Sequence, residues 1–150
     1  MSTSVTHIAL VVPDLRAAEG FYQSVFDMAL IGREAPRGDG LWATLPFDKG
    51  WDDAEAAGID LRMLALRRGS FVLALFQGDA PPGQVYVIGL AMHADEIAQL
   101  RARLPDDVAI SGEAPDRLEF RDPYGIRWQI STPGSEFRTA GDWAGRWLDL

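Results

Sequence analysis

The strongest constraint on this chain is that one order of elements runs through it twice. Val5 to Val12 is a β-branched apolar run closed by Pro13-Asp14, and Asp14 is a good N-cap for the segment that follows. Leu15 to Asp27 reads as a helix, with Leu15, Ala18, Tyr22, Val25 and Phe26 at helical spacing and Arg16, Glu19, Gln23 and Ser24 on the wet side. Met28 to Glu34 reads as a short strand, and Ile59 to Leu66 and Ser70 to Gln77 flank Arg67-Arg68-Gly69 as a hairpin. After the linker Gly78 to Gly83 the order returns. Val85 to Met92 is a strand, Asp95 to Leu104 a helix, and Val108 to Ser111, Leu118 to Arg121 and Ile126 to Ser131 are strands. A doubled βαβββ pattern predicts an α+β fold of two modules, about residues 5–77 and 84–132, with the helices on one face of the strands and a tail from 133 to 150.

Composition then removes whole classes of function. The 150 residues suit one ordinary domain, and the absence of cysteine excludes disulfides, thiolate metal sites and a thiol nucleophile, which makes a reducing cytoplasm the simplest compartment. A net charge of −8 repels a phosphate backbone, so neither nucleic acid nor an anionic membrane surface is expected as a partner. Any metal must be held by oxygen and by one of only two histidines, His7 and His93. In the tail, Asp142 followed by Trp143, Trp147 and Leu150 reads as a short capped helix, either a hydrophobic clamp on the domain or a homodimer contact.

Thr6-His7-Ile8-Ala9-Leu10-Val11-Val12-Pro13-Asp14-Leu15, then Phe21-Tyr22-Gln23-Ser24-Val25-Phe26, then Phe120-Arg121-Asp122-Pro123-Tyr124-Gly125 resemble the opening strand, helix end and final hairpin of the vicinal oxygen chelate superfamily. That superfamily holds glyoxalases, bleomycin resistance proteins and extradiol dioxygenases. The resemblance covers about residues 5 to 132 and implies a curved mixed sheet around a central cavity. In metal-dependent members it implies a ligand near the start of each module's first strand, usually histidine, and one on each module's last strand, usually glutamate. His7 fits the first position. Ala74 replaces the carboxylate of module one, Ile88 (Gly89 if the register slips) replaces the second histidine, and Gln129 replaces the remaining glutamate. A neutral amide brings no charge to offset the dehydration of a divalent ion. His93 lies about five residues beyond ligand register, roughly 16 Å at ~3.3 Å per residue. No metal cofactor is therefore expected; the alternative is Fe, Mn, Ni or Zn at a degenerate site of His7 and Gln129.

The two-residue period of the strands points to what lines the cavity instead. Ile8, Leu10 and Val12 pack under the helices and leave His7, Ala9 and Val11 on the other side; Arg127 and Gln129 follow from the last strand, Phe76 from the fourth, and Tyr86, Ile88, Leu90 and Met92 from the fifth. Trp42 and Trp51, in the long Gly/Pro/Asp-rich segment 37–58, either lid this cup and stack on a flat ligand or cover exposed sheet. Catalytic candidates are His7 and Glu119, whose face depends on the length of the turn from Asp122 to Gly125. The expected function is metal-free sequestration of a small aromatic or cationic organic molecule. The alternatives are a lyase, isomerase or dioxygenase using His7, and a non-catalytic dimeric interaction domain.

Overall fold

The computed structural model describes residues 3–79, 81, 84–121, 125–134 and 139–150. The turn residues Asp122, Pro123 and Tyr124, part of the 78–83 linker and the side chain of Trp143 lie outside what is described. In chain order the elements are β1 (Ser4–Val12), α1 (Leu15–Phe26), β2 (Ala29–Pro36), β3 (Trp42–Thr44), α2 (Trp51–Ala56), β4 (Met63–Arg68), β5 (Phe71–Gln77), β6 (Val85–Ala91), α3 (Ala94–Arg103), β7 (Ile110–Ala114), β8 (Arg117–Arg121), β9 (Arg127–Ser131) and α4 (Ala140–Ala144). The class is α+β; the second module has the expected βαβββ order, whereas the first carries β3 and α2 inserted between its second and third expected strands. No helix among the described residues is long and apolar enough to cross a membrane. The chain divides into two compact units: residues 1–10 with 85–137, and residues 11–84 with 138–150.

In the first unit β6 pairs with β1 antiparallel and with β9 parallel, and β8 and β7 continue the sheet beyond β9. One face is packed by α3: Ile97, Leu118 and Ile130 are fully buried there, with Leu90, Met92 and Trp128 against them. His93 is the N-cap of α3, its backbone N–H donating to the Glu96 carboxylate at 2.9 Å.

In the second unit β2 lies between β3 and β4, and β5 pairs with β4 through a tight turn at Gly69 (φ 60°). The Leu64, Leu66, Leu73 and Leu75 side chains of the hairpin are buried. Asp14 caps α1 by accepting the Ala17 N–H at 3.0 Å. The stripe that α1 buries differs from the sequence expectation. Leu15 and Glu19 go inside, while Val25 and Phe26 stay exposed. Glu19 is buried because Arg33 meets it with two nitrogens, at 2.8 and 2.5 Å, and the Trp51 indole N–H donates to it at 2.7 Å. A buried carboxylate persists only when paired and hydrogen-bonded in this way.

The 37–58 segment contains β3 and also α2, a helix too short for its periodicity to show. Ala54 of α2 packs with Ala35, Leu45 and Leu61. The tail helix is displaced from its expected place: Thr139, not Asp142, is the N-cap, and Gly145 in the left-handed region ends the helix. Arg146 to Leu148 then run extended along β3. The Thr44 N–H donates to the Arg146 carbonyl (2.8 Å) and the Leu148 N–H to the Thr44 carbonyl (2.7 Å). A buried polar cluster fastens this strap. Glu34 Oε1 accepts the Thr44 hydroxyl (3.1 Å) and the Ala140 N–H (2.7 Å), and Thr44 Oγ1 accepts the Gly141 N–H (2.8 Å). The tail thus clamps its own unit.

Candidate functional site

The ladder register of the first unit sets one cross-strand row. His7 of β1 stands opposite Gly89 of β6, Gly89 opposite Gln129 of β9, Gln129 opposite Glu119 of β8, and Glu119 opposite Gly112 of β7. Directly paired residues share a face, so His7, Gln129 and Glu119 all lie on the side away from α3. The face of Glu119, open in the sequence, is thereby settled.

Two irregularities shape this face. Between Val5 and His7 the β1 register slips, which leaves Thr6 and His7 together against Gly89. A Cβ built on Gly89 would stand 2.2 Å from His7 Cε1 and Nδ1 and 2.5 Å from Thr6 Oγ1, so residue 89 must be glycine for the imidazole to lie where it does. The glycine within Val-Ile-Gly-Leu-Ala is the one sequence signal of this close approach. The second slip, between Ala9 and Leu10, leaves Tyr86 outside the ladder, and its hydroxyl meets Arg127 Nη1 at 3.1 Å. The strand alternation expected from sequence changes accordingly. Ile88 pairs with Ile8 and Trp128 on the opposite face, and Leu90 and Met92 pack into the α3 core, because a one-residue slip exchanges the two faces of a strand. Val87, Gly89 and Ala91 take their place beside His7.

His7 is buried, its Nδ1 lying 3.0 Å from Thr6 Oγ1. Burial lowers its pKa from 6.5 to about 4, against the opposing pull of a hydrogen bond with the Gln129 side chain. The ring is therefore neutral at physiological pH. Further along the face Arg127 bridges two groups. Its Nη2 lies 3.4 Å from Glu119 Oε2 and its guanidinium 5.8 Å from the centre of the Tyr86 ring. Small buried residues share this face: Ala9 and Val87 beside Arg127, and Ala91 on the other side of Gly89.

The remaining expected residues belong to the second unit. Trp42 and Phe76 meet there edge to face, 6.0 Å between ring centres. Trp51 is engaged by Glu19 and by the Arg33 guanidinium, 5.5 Å from its ring, which makes it part of the fabric of that unit. Ala74 is buried in β5 opposite Ala65.

This donor set does not fit a divalent cation. His7 has a neutral amide for its neighbour, and Glu119 is three strands away, about 14 Å at ~4.8 Å per strand, and paired with Arg127. Among the described residues no three His, Cys, Asp or Glu side chains gather. In the ligand pattern that the resemblance implies, such an ion would be held by imidazole and carboxylate ligands together, and among the described residues the carboxylates are missing beside His7.

A family model described as Glyoxalase/Bleomycin resistance protein/Dioxygenase superfamily matches residues 4–130. The chain belongs to this superfamily. Among solved structures this glyoxalase-superfamily chain is similar to hypothetical protein BH1468 from Bacillus halodurans C-125, at 11% identity over 93% of this chain and 100% of that one, with a TM-score of 0.55. It is also similar to the 2,3-dioxygenase LapB from Pseudomonas sp. KL28, at 12% identity over 93% of this chain and 45% of that one, TM-score 0.55. A third is the homoprotocatechuate 2,3-dioxygenase from Arthrobacter globiformis, at 17% identity over 85% of this chain and 37% of that one, TM-score 0.50. At such identities the likeness concerns the fold, and the chain spans less than half of either dioxygenase. No curated protein sequence matches it. Fold alone does not carry an activity within the superfamily.

Proposed function

We propose that this superfamily member binds a small aromatic or cationic organic molecule on the polar face of its first unit, without a divalent metal. One observation carries the reading: the His7 ring fills the space over Gly89 and is hydrogen-bonded to a neutral amide. The histidine is thereby a neutral hydrogen-bonding group on a face shared with small residues, with Gln129, Tyr86, Arg127 and Glu119 beside it. Apolar surface with a few fixed polar groups suits small-molecule recognition. The acidic charge of the whole chain draws cations toward it. The same reading includes a homodimer, supported by the exposed Phe21, Val25 and Phe26 of α1 and tested by sedimentation.

Thermal unfolding tests the ligand class. Fe(II), Mn(II), Ni(II) and Zn(II) leave the melting temperature unchanged, whereas flat aromatic cations such as acriflavine raise it, since a ligand at a hundred times its Kd adds about 2.7 kcal/mol. A metal-dependent rise that disappears in His7→Ala overturns the proposal.

A further inference from the structure

We propose that Arg127 is a displaceable placeholder, and that the ligand of this face carries an organic cation which takes its position between Glu119 and Tyr86. This rests on the reading of the face as a small-molecule site and goes on to name what that site selects.

Arg127 already makes the two contacts by which a protein recognises a cation, a carboxylate and an aromatic ring face. Its guanidinium is 5.8 Å from the Tyr86 ring centre, within the range of a cation–π contact. It holds the carboxylate loosely. The 3.4 Å separation from Glu119 exceeds the usual ~2.7–2.9 Å of a charge-assisted bond, and the two side chains are 30% and 18% exposed. At that length the pair lacks the short contact of a full charge-assisted bond, so a better-placed cation can replace it.

The two partners are not equally mobile. The Glu119 stem lies along Gly112, where an added Cβ would be 3.7 Å from its Cβ and Cδ, so the carboxylate rests on backbone. Arg127 reaches across from β9 on a long flexible stem. Directly opposite it in the ladder stands Arg121, and like charges in that position repel. When a ligand cation arrives, the arginine is the group that swings out, and an anionic, aromatic-walled position remains.

Calorimetric titration of the full chain with benzyltrimethylammonium, benzyl alcohol and benzoate tests this in wild type, R127M and E119Q, with R127Q in place of R127M should that variant unfold. The cation binds the wild type, binds R127M about threefold more tightly because no internal competitor remains, and binds E119Q about fivefold more weakly. Two results overturn the placeholder: equal affinity of the cation for all three proteins, or benzoate binding that R127M abolishes, which would make Arg127 an anion clamp. In either case, benzyl alcohol binding that is lost in Gln129→Ala leaves the small-molecule reading standing. If no probe binds any of the proteins, both readings fail.

Discussion

The imidazole of His7 lies against the α-carbon of Gly89, closer than any side chain at position 89 would permit. Gly89→Ala therefore forces the ring out of its place or the strands apart. Overpacking of this kind costs about 1–3 kcal/mol. Urea unfolding reads that loss. In Gly89→Ala combined with His7→Ala the cost of the added methyl shrinks, because the atoms it strikes are gone.

Acid should unfold the protein partly through His7. Its folded-state pKa, about 4, lies below the unfolded value of 6.5, so the unfolded chain takes up this proton first as the pH falls. The contribution is fully present above pH 6.5 and is lost as the pH falls through the folded value, on the order of 3 kcal/mol across that window. His7→Gln keeps a neutral polar side chain and flattens the slope of stability between pH 6.5 and 4. Chemical denaturation at stepped pH, or direct NMR titration of the ring, checks it.

Glu34 holds the C-terminal strap as an acceptor. Glu34→Ala strands the Ala140 N–H and the Thr44 hydroxyl at a cost of about 1–3 kcal/mol each, and the amides of Ala140 and Gly141 then exchange faster with solvent. Glu34→Gln retains a carbonyl acceptor and preserves most of the protection. Desolvation raises the Glu34 pKa above 4.5. Its contribution is therefore present below pH 4.5 and is lost as the pH rises through the folded value, and Glu34→Gln removes that dependence. Hydrogen exchange with mass detection distinguishes the two variants.

Removing Arg33 strikes a different part of the second unit. Arg33→Met leaves the Glu19 carboxylate buried with only the Trp51 N–H, and an uncompensated buried charge costs about 3–5 kcal/mol. Trp51→Phe keeps the ion pair and costs less. Thermal unfolding ranks the two.

Periodicity made β1, α1 and the β4–β5 hairpin legible from residue types alone, and Asp14 announced its cap. The failures share a cause, which is contact between residues distant in the chain. Glu19 read as a wet residue because the Arg33 and Trp51 that bury it lie 14 and 32 positions later. The α2 helix lasts six residues, too few for a helical stripe to stand out from its loop. On the candidate face His7, Gln129, Arg127 and Tyr86 were recognisable, whereas Ile88, Leu90 and Met92 fell on the wrong side. Bulges at Thr6 and Tyr86 offset the ladder, and a bulge is a property of the pairing rather than of either strand. Gly89 was visible as an anomaly, but its purpose required the position of the His7 ring.

The strap also sets a timetable for synthesis. Glu34 and the Ala140 N–H it accepts are 106 residues apart. At roughly 5–20 residues per second, a ribosome needs on the order of 5–20 s to make that interval. During the later part of that interval, once β2 and β3 have emerged, the edge beside Thr44 is still without its strap. A nascent chain stalled anywhere short of residue 140 keeps that edge open to other chains. Slow codons between Gln84 and Thr139 would therefore prolong the interval in which the second unit is most exposed to aggregation.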